Sequence, residues 1–597
     1  MQFERFVESN LLSGKDTSIA RLRGWMDECL SNHECCSMYS AAQNNSNRPA
    51  RLLNLASIQR GSMSGIRLIE TAPGSSYRYA CLSHRWDDAV KHHRTTTENL
   101  SRFSDFLNLE ELPANFRDAV SITQDLNIQY LWIDSLCIIQ SGDNGEDLHR
   151  ELGKMGYIFQ NACLTIAAVS SPNSSGGCFE KNKYSDICFM VSNYLKETYL
   201  IGARMLDKKG RLVSIDEFNN HYPLLSRAWV FQERLLSPRL LQCNYGEFAF
   251  DCFEESRCEC GSLLAPHTKH ASGIVDKRNF TSRRRFFTET QDGQDATMDV
   301  TLEYWKSTIQ QYMQLELSRP SDVLAAIAGC AQALALHLKL KYVAGMWKEK
   351  LHTDSLWFVK PPKFRAPLEP RPKGSTAPSW SWASVPMGRT IIHIDRHTGN
   401  TWAASNILLH NAIKEVYCEP ESIHAPFGKL KNAYLKLDTV LYPWYIRRFC
   451  PMAKLERASR KNSRNKDIYI KRLGSSVRCT TDIPELAIDG SVVEYYPDVR
   501  LEDGEIETKL FSRCNDSSPA CCWLAQIYLL HAMRKTNSNK SLDVFLLLKR
   551  IQPANGMPDC YERLGIMTLK VEGPKVRTWN EMIHGRLKPL KEEFWLF

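Results

Sequence analysis

The chain has 597 residues, of which 43% are hydrophobic and 24% are charged, and its formal net charge at pH 7 is +9. A chain of this length is expected to bury a large core and to form two or more domains. The modest charge does not point to a nucleic-acid partner, and no stretch suits a membrane span or a secretory signal. We therefore expect a cytoplasmic protein, with a nuclear location as the alternative.

Three short apolar runs predict strands that are buried on both faces, because each run is bounded by polar residues. They lie at 79–82, 130–133 and 163–169, and amphipathic helical patterns at 116–123 and 148–159 separate them. This β-α-β-α-β order predicts an α/β fold with a doubly wound, mostly parallel sheet of the flavodoxin-like kind.

Ligands of such sheets bind outside the carboxyl ends of the strands. The polar residues expected at that edge follow the three predicted strands in turn: Ser83, His84, Arg85, Trp86, Asp87 and Asp88, then Asp134 and Ser135, then Ser170. The concentration of charge in one turn favours a binding site. The alternative is that these are ordinary loop residues that cap helices.

Changes in composition divide the chain into four segments. We predict a cysteine-containing lead-in at 1–70, the α/β domain at 71–260, a linker or insertion with helical segments at 261–375, and a mixed, mainly β region at 376–597. Residues 447–472 are strongly basic and are expected to form a solvated loop; the alternatives are a nuclear-import patch or a surface that touches nucleic acid or acidic lipid. Because no aromatic residues interleave its central part, nucleic acid is not an expected partner.

The 20 cysteines form neither a disulfide framework nor a paired zinc motif. Two groups stand out by proximity in sequence: Cys29, His33, Cys35 and Cys36, and then Cys252, Cys258 and Cys260. We expect local packing and no metal, with a structural metal as the alternative, because no standard ligand spacing appears. Cys81 and Cys137 lie in or beside apolar strands and are expected to be inert core thiols.

Five blocks resemble the fungal heterokaryon-incompatibility (HET) domain. In order they are YACLSHRWDD, LPANFRDAV, LWIDSLCIIQ, ELGKMGYIFQNACLTIAA and SRAWVFQERLLSPRLLQC, and the resemblance is densest at 79–243. It implies an effector of non-self recognition and programmed cell death in an innate-immunity-like pathway. Such an effector is expected to act through a protein partner, and it is compatible with a homo-oligomer.

HET domains have been likened to Toll/interleukin-1 receptor (TIR) domains, some of which cleave NAD with a key glutamate. The segment LSHRWDD is similar to the Ser-x-Arg-x-x-Asp turn of plant-type TIR domains, and Trp229 and Glu233 stand four apart as in the TIR helix. The resemblance implies Glu233 as the catalytic residue and NAD as a substrate, with no bound cofactor. The substrate-binding residues it implies are Ser83, His84, Arg85, Trp86, Asp87, Asp134 and Trp229.

Glu233 itself has two interpretations. Its helix is expected to end near Leu236 because Pro238 disfavours helix at the preceding residue, so the carboxylate faces the negative end of the helix dipole. Either an ion pair with Arg239 or Arg227 offsets that charge, or the charge stabilises the oxocarbenium-like state as nicotinamide leaves. A rival function is a non-enzymatic signalling module that binds a partner or a nucleotide in the same crevice.

Overall fold

The computed structural model of the protein divides into two compact units. The first comprises Met1–Leu317, Ala325–Leu338 and Ser422–Gly428, and the second comprises Ser318–Leu324, Lys339–Glu421 and Lys429–Phe597. The residues that the structure describes are 15–34, 36, 47–61, 63–87, 90, 93–179, 187–192, 198–203, 222–244, 247–259, 294–338, 340–360, 370–394, 408–448, 477–479, 491–497, 523–537, 540–552, 559–572 and 590–597.

The first unit is built on a nine-stranded mixed sheet. Its strands and a separate pair, β7 and β8, are β1 (Arg51–Arg60), β2 (Met63–Glu70), β3 (Tyr79–Ser83), β4 (Leu107–Asn108), β5 (Tyr130–Trp132), β6 (Leu164–Ala167), β7 (Ile187–Ser192), β8 (Thr198–Ala203), β9 (Arg239–Asn244), β10 (Glu247–Cys252) and β11 (Ser256–Cys258). The order across the sheet is β11-β10-β9-β6-β3-β5-β1-β2-β4.

The four central strands, β9, β6, β3 and β5, are parallel to one another. They include the three strands predicted from the apolar runs. The outer strands pair antiparallel, so the sheet as a whole is mixed rather than mostly parallel. Strands β1 and β2, which come from the segment predicted as a lead-in, complete this sheet.

Eight helices of the first unit are described: α1 (Lys15–Asn32), α2 (Leu100–Asp105), α3 (Ala114–Asp125), α4 (Asp134–Cys137), α5 (Glu146–Asn161), α6 (Val230–Leu236), α7 (Gln294–Tyr312) and α8 (Ala328–Leu338). Because side chains alternate along a strand, β3 presents different residues to its two faces. Tyr79 and Cys81 contact the Ile158 carbonyl of α5, whereas His84, just past β3, packs its ring on Phe116 of α3. Helices therefore cover both faces.

Helices α5, α6 and α8 meet at a pair of glycines. A Cβ on Gly156 would lie 2.6 Å from the Cα of Gly329, and the Gly329 amide donates to the Gln232 side chain of α6 at 3.0 Å. Only glycine permits this backbone approach. Helix α8 begins at Ala328, and the residues before it form two separate 3₁₀ turns.

The second unit is rich in strands, as predicted. Its elements are β12 (Tyr342–Val343), β13 (Met346–Trp347), α9 (Leu351–Asp354), β14 (Trp357–Val359), β15 (Ile391–His393), α10 (Leu408–Ala412), β16 (Ile413–Pro420), β17 (Leu430–Arg448), β18 (Val477–Cys479), β19 (Ser491–Pro497), β20 (Trp523–Asn537), β21 (Lys540–Ile551), β22 (Cys560–Glu572) and β23 (Leu590–Leu596). Strand β23 pairs with both β17 and β22, which closes β17, β20, β21, β22 and β23 into a hydrogen-bonded ring.

The basic segment enters the described structure only at its first two residues. Arg447 and Arg448 end β17, and residues 449–472 lie outside the described residues. Within the part of the chain that the structure describes, no helix has the length and apolar character needed to cross a membrane.

Candidate functional site

Glu233 lies on α6, which begins after Trp229 and ends at Leu236, as Pro238 predicts. The Ser237 amide and hydroxyl both donate to the Glu233 carbonyl oxygen, at 3.3 and 2.5 Å, and so close the end of the helix. The Glu233 side chain is directed into the protein, and the residue is only 7% exposed. A carboxyl group is therefore buried in the last turn of α6.

Burial and three neighbouring residues determine the ionisation of this carboxyl group. Burial raises the pKa of Glu233 to about 7; the Ser83 hydroxyl opposes the shift, the Asp134 charge adds to it, and the Arg227 charge opposes it. The Ser83 hydroxyl is close enough to lower the pKa, although its geometry falls short of a regular hydrogen bond. Ser83 ends β3 and Asp134 follows β5, so the cluster lies at the carboxyl edge of the sheet.

Arg227 is the cation of this cluster. Burial lowers its pKa, while the charges of Glu233 and Asp134 raise it. The backbone on either side of Arg227 is fixed by a short ladder, in which Ala228 donates to the Glu316 carbonyl at 2.8 Å and Glu316 donates to that of Ser226 at 2.7 Å. Among the ion pairs of the described residues, none joins Arg227 directly to Glu233, so its charge acts at longer range.

Asp134 is oriented by its neighbours. The Trp86 indole nitrogen donates to one carboxylate oxygen at 2.8 Å, and the Ser135 amide donates to the other at 2.7 Å. The Nε2 atom of His84 lies 3.8 Å from that second oxygen, and burial lowers the pKa of His84. Within the described residues, His84 Nε2 and the Ser135 hydroxyl are buried without a hydrogen-bond partner.

Two of the residues predicted at the site, Asp87 and Ser170, form hydrogen bonds to other segments of the protein. Asp87 accepts from the Val90 amide at 3.1 Å and from the amide and hydroxyl of Ser174 at 2.9 and 2.7 Å, so it fastens the loop after β6. Ser170 donates its hydroxyl to the Cys243 carbonyl at 3.1 Å. Arg85 is exposed, and Asp88 lies outside the described residues. In the structure, Asp87 and Ser170 therefore act as loop residues, which is the alternative to a role in ligand binding.

The two tryptophans that the TIR resemblance singled out are both half-buried. Trp86 and Trp229 pack against the large core of the first unit, and Trp86 is also tied to Asp134. Trp229 precedes α6 and stands one turn before Glu233. The structure therefore brings Ser83, Asp134 and Glu233 together, with Trp86 attached through Asp134. It adds Arg227, which the sequence suggested only as an ion-pair partner.

Arg239, the other proposed partner of Glu233, is directed elsewhere. Its Nε atom donates to the Cys29 thiol at 3.2 Å, and its terminal nitrogens donate to the carbonyls of Cys36 and Cys163 at 3.3 and 3.4 Å. The next residue on β9, Leu240, packs with Val230 of α6. Because neighbouring strand residues face opposite sides of a sheet, Arg239 points away from α6. Pairing with Glu233 is thus excluded by the strand geometry.

Comparison with known families identifies the segment that holds the cluster. The family model of the heterokaryon incompatibility protein (HET) matches residues 79–233. The protein contains a HET domain. No curated protein and no solved structure matches the chain. The HET segment begins with β3 and ends at Glu233, so Ser83, Asp134, Arg227 and Glu233 all lie within it.

Two buried thiols inside the HET domain fit the expectation of core cysteines. Burial raises the pKa of Cys137 to about 12 and that of Cys81 well above its ordinary value. A thiolate is the reactive form of cysteine, so neither thiol suits nucleophilic catalysis at neutral pH.

Outside the HET segment, the structure brings the two cysteine groups together. Cys29, His33 and Cys36 meet Cys252, and their potential ligand atoms all lie within 4.8 Å of one another. Cys258 is disulfide-bonded, and Cys35 and Cys260 lie outside the described residues. All four of these residues were identified from the sequence but were assigned to two separate groups.

Proposed function

We propose that this protein is an effector of fungal heterokaryon incompatibility whose HET domain hydrolyses NAD. The observation that carries the proposal is the buried Glu233 carboxyl group, whose pKa is raised to about 7 beside Ser83, Asp134 and Arg227. A carboxylate that the fold itself does not neutralise is suited to stabilise a positive charge that develops on a substrate.

The chemistry is cleavage of the bond between nicotinamide and ribose. The electron pair of that bond leaves with nicotinamide, which becomes neutral, and the ribose passes through an oxocarbenium-like state. Water then adds to the anomeric carbon and releases a proton. Ionised Glu233 stabilises the cationic state and accepts a hydrogen bond from a ribose hydroxyl. Arg227 and the exposed Arg85 provide positive charge for the phosphates, and no metal is needed for any of these roles.

The strand order supports this location for a ligand. Numbered by their order along the chain, the four parallel strands run 2-1-3-4 as β5, β3, β6 and β9. That is the order of flavodoxin-like sheets, which bind ligands where the first and third of these strands diverge. Ser83, at the end of β3, lies at this position. The resemblance to TIR domains is consistent with the same arrangement.

Glu233→Gln is expected to lower NAD hydrolysis by the purified full-length protein by about 100-fold or more, because removing one well-placed charge-stabilising group costs a factor of this size. Nicotinamide release measured by chromatography provides the readout. Glu146→Gln is the matched control, since Glu146 is an exposed glutamate at the start of α5. Equal rates for wild type and Glu233→Gln would contradict the proposal.

The rate is also expected to depend on pH through Glu233. Ionised Glu233 is the active form and its pKa is about 7, so its ionised fraction rises across neutrality. The value of kcat/KM should therefore increase about tenfold from pH 6 to pH 8, as a base of that pKa requires. A profile that is flat over this interval would show that Glu233 does not act as a carboxylate.

The rival function is a non-enzymatic module that binds a nucleotide or a protein in the same crevice. It is favoured by Asp87 and Asp134, whose carboxylates are already occupied by protein donors. Expression in fungal cells separates the two functions. If growth arrest persists in Glu233→Gln and cellular NAD stays unchanged in the wild type, the binding module is the correct description. If cellular NAD falls only in cells whose protein has intact Glu233, the NAD-hydrolysing enzyme is the correct description.

A further inference from the structure

Three cysteines and one histidine from distant parts of the chain converge beside the edge of the nine-stranded sheet. Cys29 lies on α1, His33 and Cys36 follow that helix, and Cys252 ends β10, 219 residues from His33. Their ligand atoms lie within 4.8 Å of one another, and three of the four residues are buried. We propose that this group binds a structural zinc ion.

The donor set matches the chemistry of zinc. Three thiolates and one imidazole form a common structural zinc site, in which all four positions of the tetrahedron come from the protein. With Zn–S distances of about 2.3 Å, the ligand atoms of such a site lie about 3.8 Å apart. The Nδ1 atom of His33 is already 3.3 Å from the Cys252 sulfur. Contraction by at most about 1 Å along the longest edge therefore completes the tetrahedron.

The surroundings of the four residues suit a metal-bound thiolate group. The amides of Glu254 and Glu255 donate to the Cys252 sulfur at 3.4 and 3.2 Å. Arg239 donates its Nε hydrogen to the Cys29 sulfur at 3.2 Å. A zinc ion with three thiolates carries one net negative charge, and the adjacent guanidinium balances it. Donors of this kind orient metal ligands and stabilise their charge.

His33 is oriented for binding through Nδ1. Its other ring nitrogen, Nε2, lies 3.7 Å from a carboxylate oxygen of Glu255. Metal-bound histidines commonly direct their second nitrogen to a carboxylate, which fixes the ring and the tautomer. The same residue, Glu255, thus contributes its amide to Cys252 and its side chain to His33. Both ligands are supported from one turn of the chain.

The expected role of the ion is to fasten the N-terminal helix to the sheet. Helix α1 already packs on β10, where the rings of Trp25 and Phe250 lie 6.2 Å apart. Because four protein ligands leave no open position, the site is structural rather than catalytic. It is independent of the Glu233 cluster, and either proposal can fail without the other.

Metal analysis of the purified full-length protein tests the proposal. Prepared without chelators, the wild type is expected to contain about one zinc ion per chain by plasma mass spectrometry, as a closed four-ligand site requires. Cobalt exchanged into the protein should give the visible absorption bands of a tetrahedral thiolate complex. Wild-type protein with neither stoichiometric zinc nor this spectrum would overturn the proposal, as would a disulfide between two of the three cysteines.

Variants assign the ligands. Cys252→Ser and Cys36→Ser are expected to lose most of the bound zinc, whereas Cys137→Ala, which removes a buried thiol elsewhere in the same unit, should retain it. Since a lost ligand also weakens folding, His33→Cys provides a second variant. It preserves four ligands and should keep the metal while strengthening the thiolate-to-cobalt bands. Unchanged zinc content in Cys252→Ser, or an unchanged cobalt spectrum in His33→Cys, would exclude these residues as ligands.

Discussion

Glu233→Gln is expected to stabilise the folded protein at pH 8 by roughly 3 kcal/mol, since each unit of pKa shift corresponds to about 1.4 kcal/mol. The shift runs from the ordinary value of 4.5 to about 7 and is caused chiefly by burial. The neutral amide of glutamine avoids the cost of holding a buried charge. The substitution that removes activity should therefore raise stability.

The sign of the pH dependence follows from the direction of the shift. The folded state holds the Glu233 proton more tightly than the unfolded state, so this stabilisation is complete below pH 4.5 and is lost as the pH rises through about 7. The difference between Glu233→Gln and wild type should be small at pH 5 and should grow up to pH 8. Urea unfolding of both proteins across this range measures it.

The structural interpretation of Glu233 predicts the opposite sign. If an ion pair with Arg227 stabilised the fold, removing the carboxylate would leave a partly buried guanidinium without a partner and would destabilise the protein. A loss of stability in Glu233→Gln at pH 8 would thus favour the ion pair. Glu146→Gln, which alters an exposed glutamate, should differ little from wild type at either pH.

Arg51→Met is expected to destabilise the first unit by about 3–5 kcal/mol, the usual effect of removing one partner of a buried ion pair. Arg51 lies on β1 and pairs with Asp147 of α5, and neither residue is more than 5% exposed. Its Nε atom also donates to the Cys137 carbonyl at 3.0 Å. The substitution leaves the buried carboxylate of Asp147 without the positive charge of Arg51. The shift in the urea unfolding midpoint measures the effect.

The same carboxylate provides a matched control. Asp147 also pairs with Arg150, whose side chain is 44% exposed. Arg150→Met should cost less than about 1 kcal/mol, because solvent screens an exposed ion pair. Equal effects at the two arginines would contradict the role assigned to burial.

The ion pair between Arg51 and Asp147 also has a consequence for truncation. A fragment starting at residue 79, where the HET match begins, lacks β1 and this ion pair of the core.

The sequence predicts those features of the first unit that depend on local periodicity. The strands β3, β5 and β6 and the helices α3 and α5 follow from apolar spacing, and Pro238 sets the end of α6. The mixed character of the sheet does not follow, because β1 and β2 join it through pairings that no local pattern encodes. The mainly β character predicted for 376–597 is confirmed as well, with β19 and β21 among its strands.

The sequence predicts the candidate site less completely than it predicts the strands and helices. Glu233 is recognisable from its sequence context, whereas its surroundings depend on contacts between distant segments. Arg239 was considered as its partner because it is near in sequence, yet strand alternation turns it to the opposite face. Asp87 was predicted to bind substrate, and nothing in the sequence indicated that its carboxylate also binds Ser174, 87 residues away. Side-chain direction and long-range pairing decide both cases, and neither can be derived from residue spacing.

The composition of the first unit has a consequence for synthesis on the ribosome. Helix α8 packs on α5 and α6, and the His424 carbonyl lies where a Cβ of Gly153 would be. A nascent chain that has emerged as far as Glu233 contains the whole HET segment but not these later pieces of its unit. Contacts between such distant residues form slowly and late. The first unit can therefore be completed only after residue 428 has left the exit tunnel, when most of the chain has been translated.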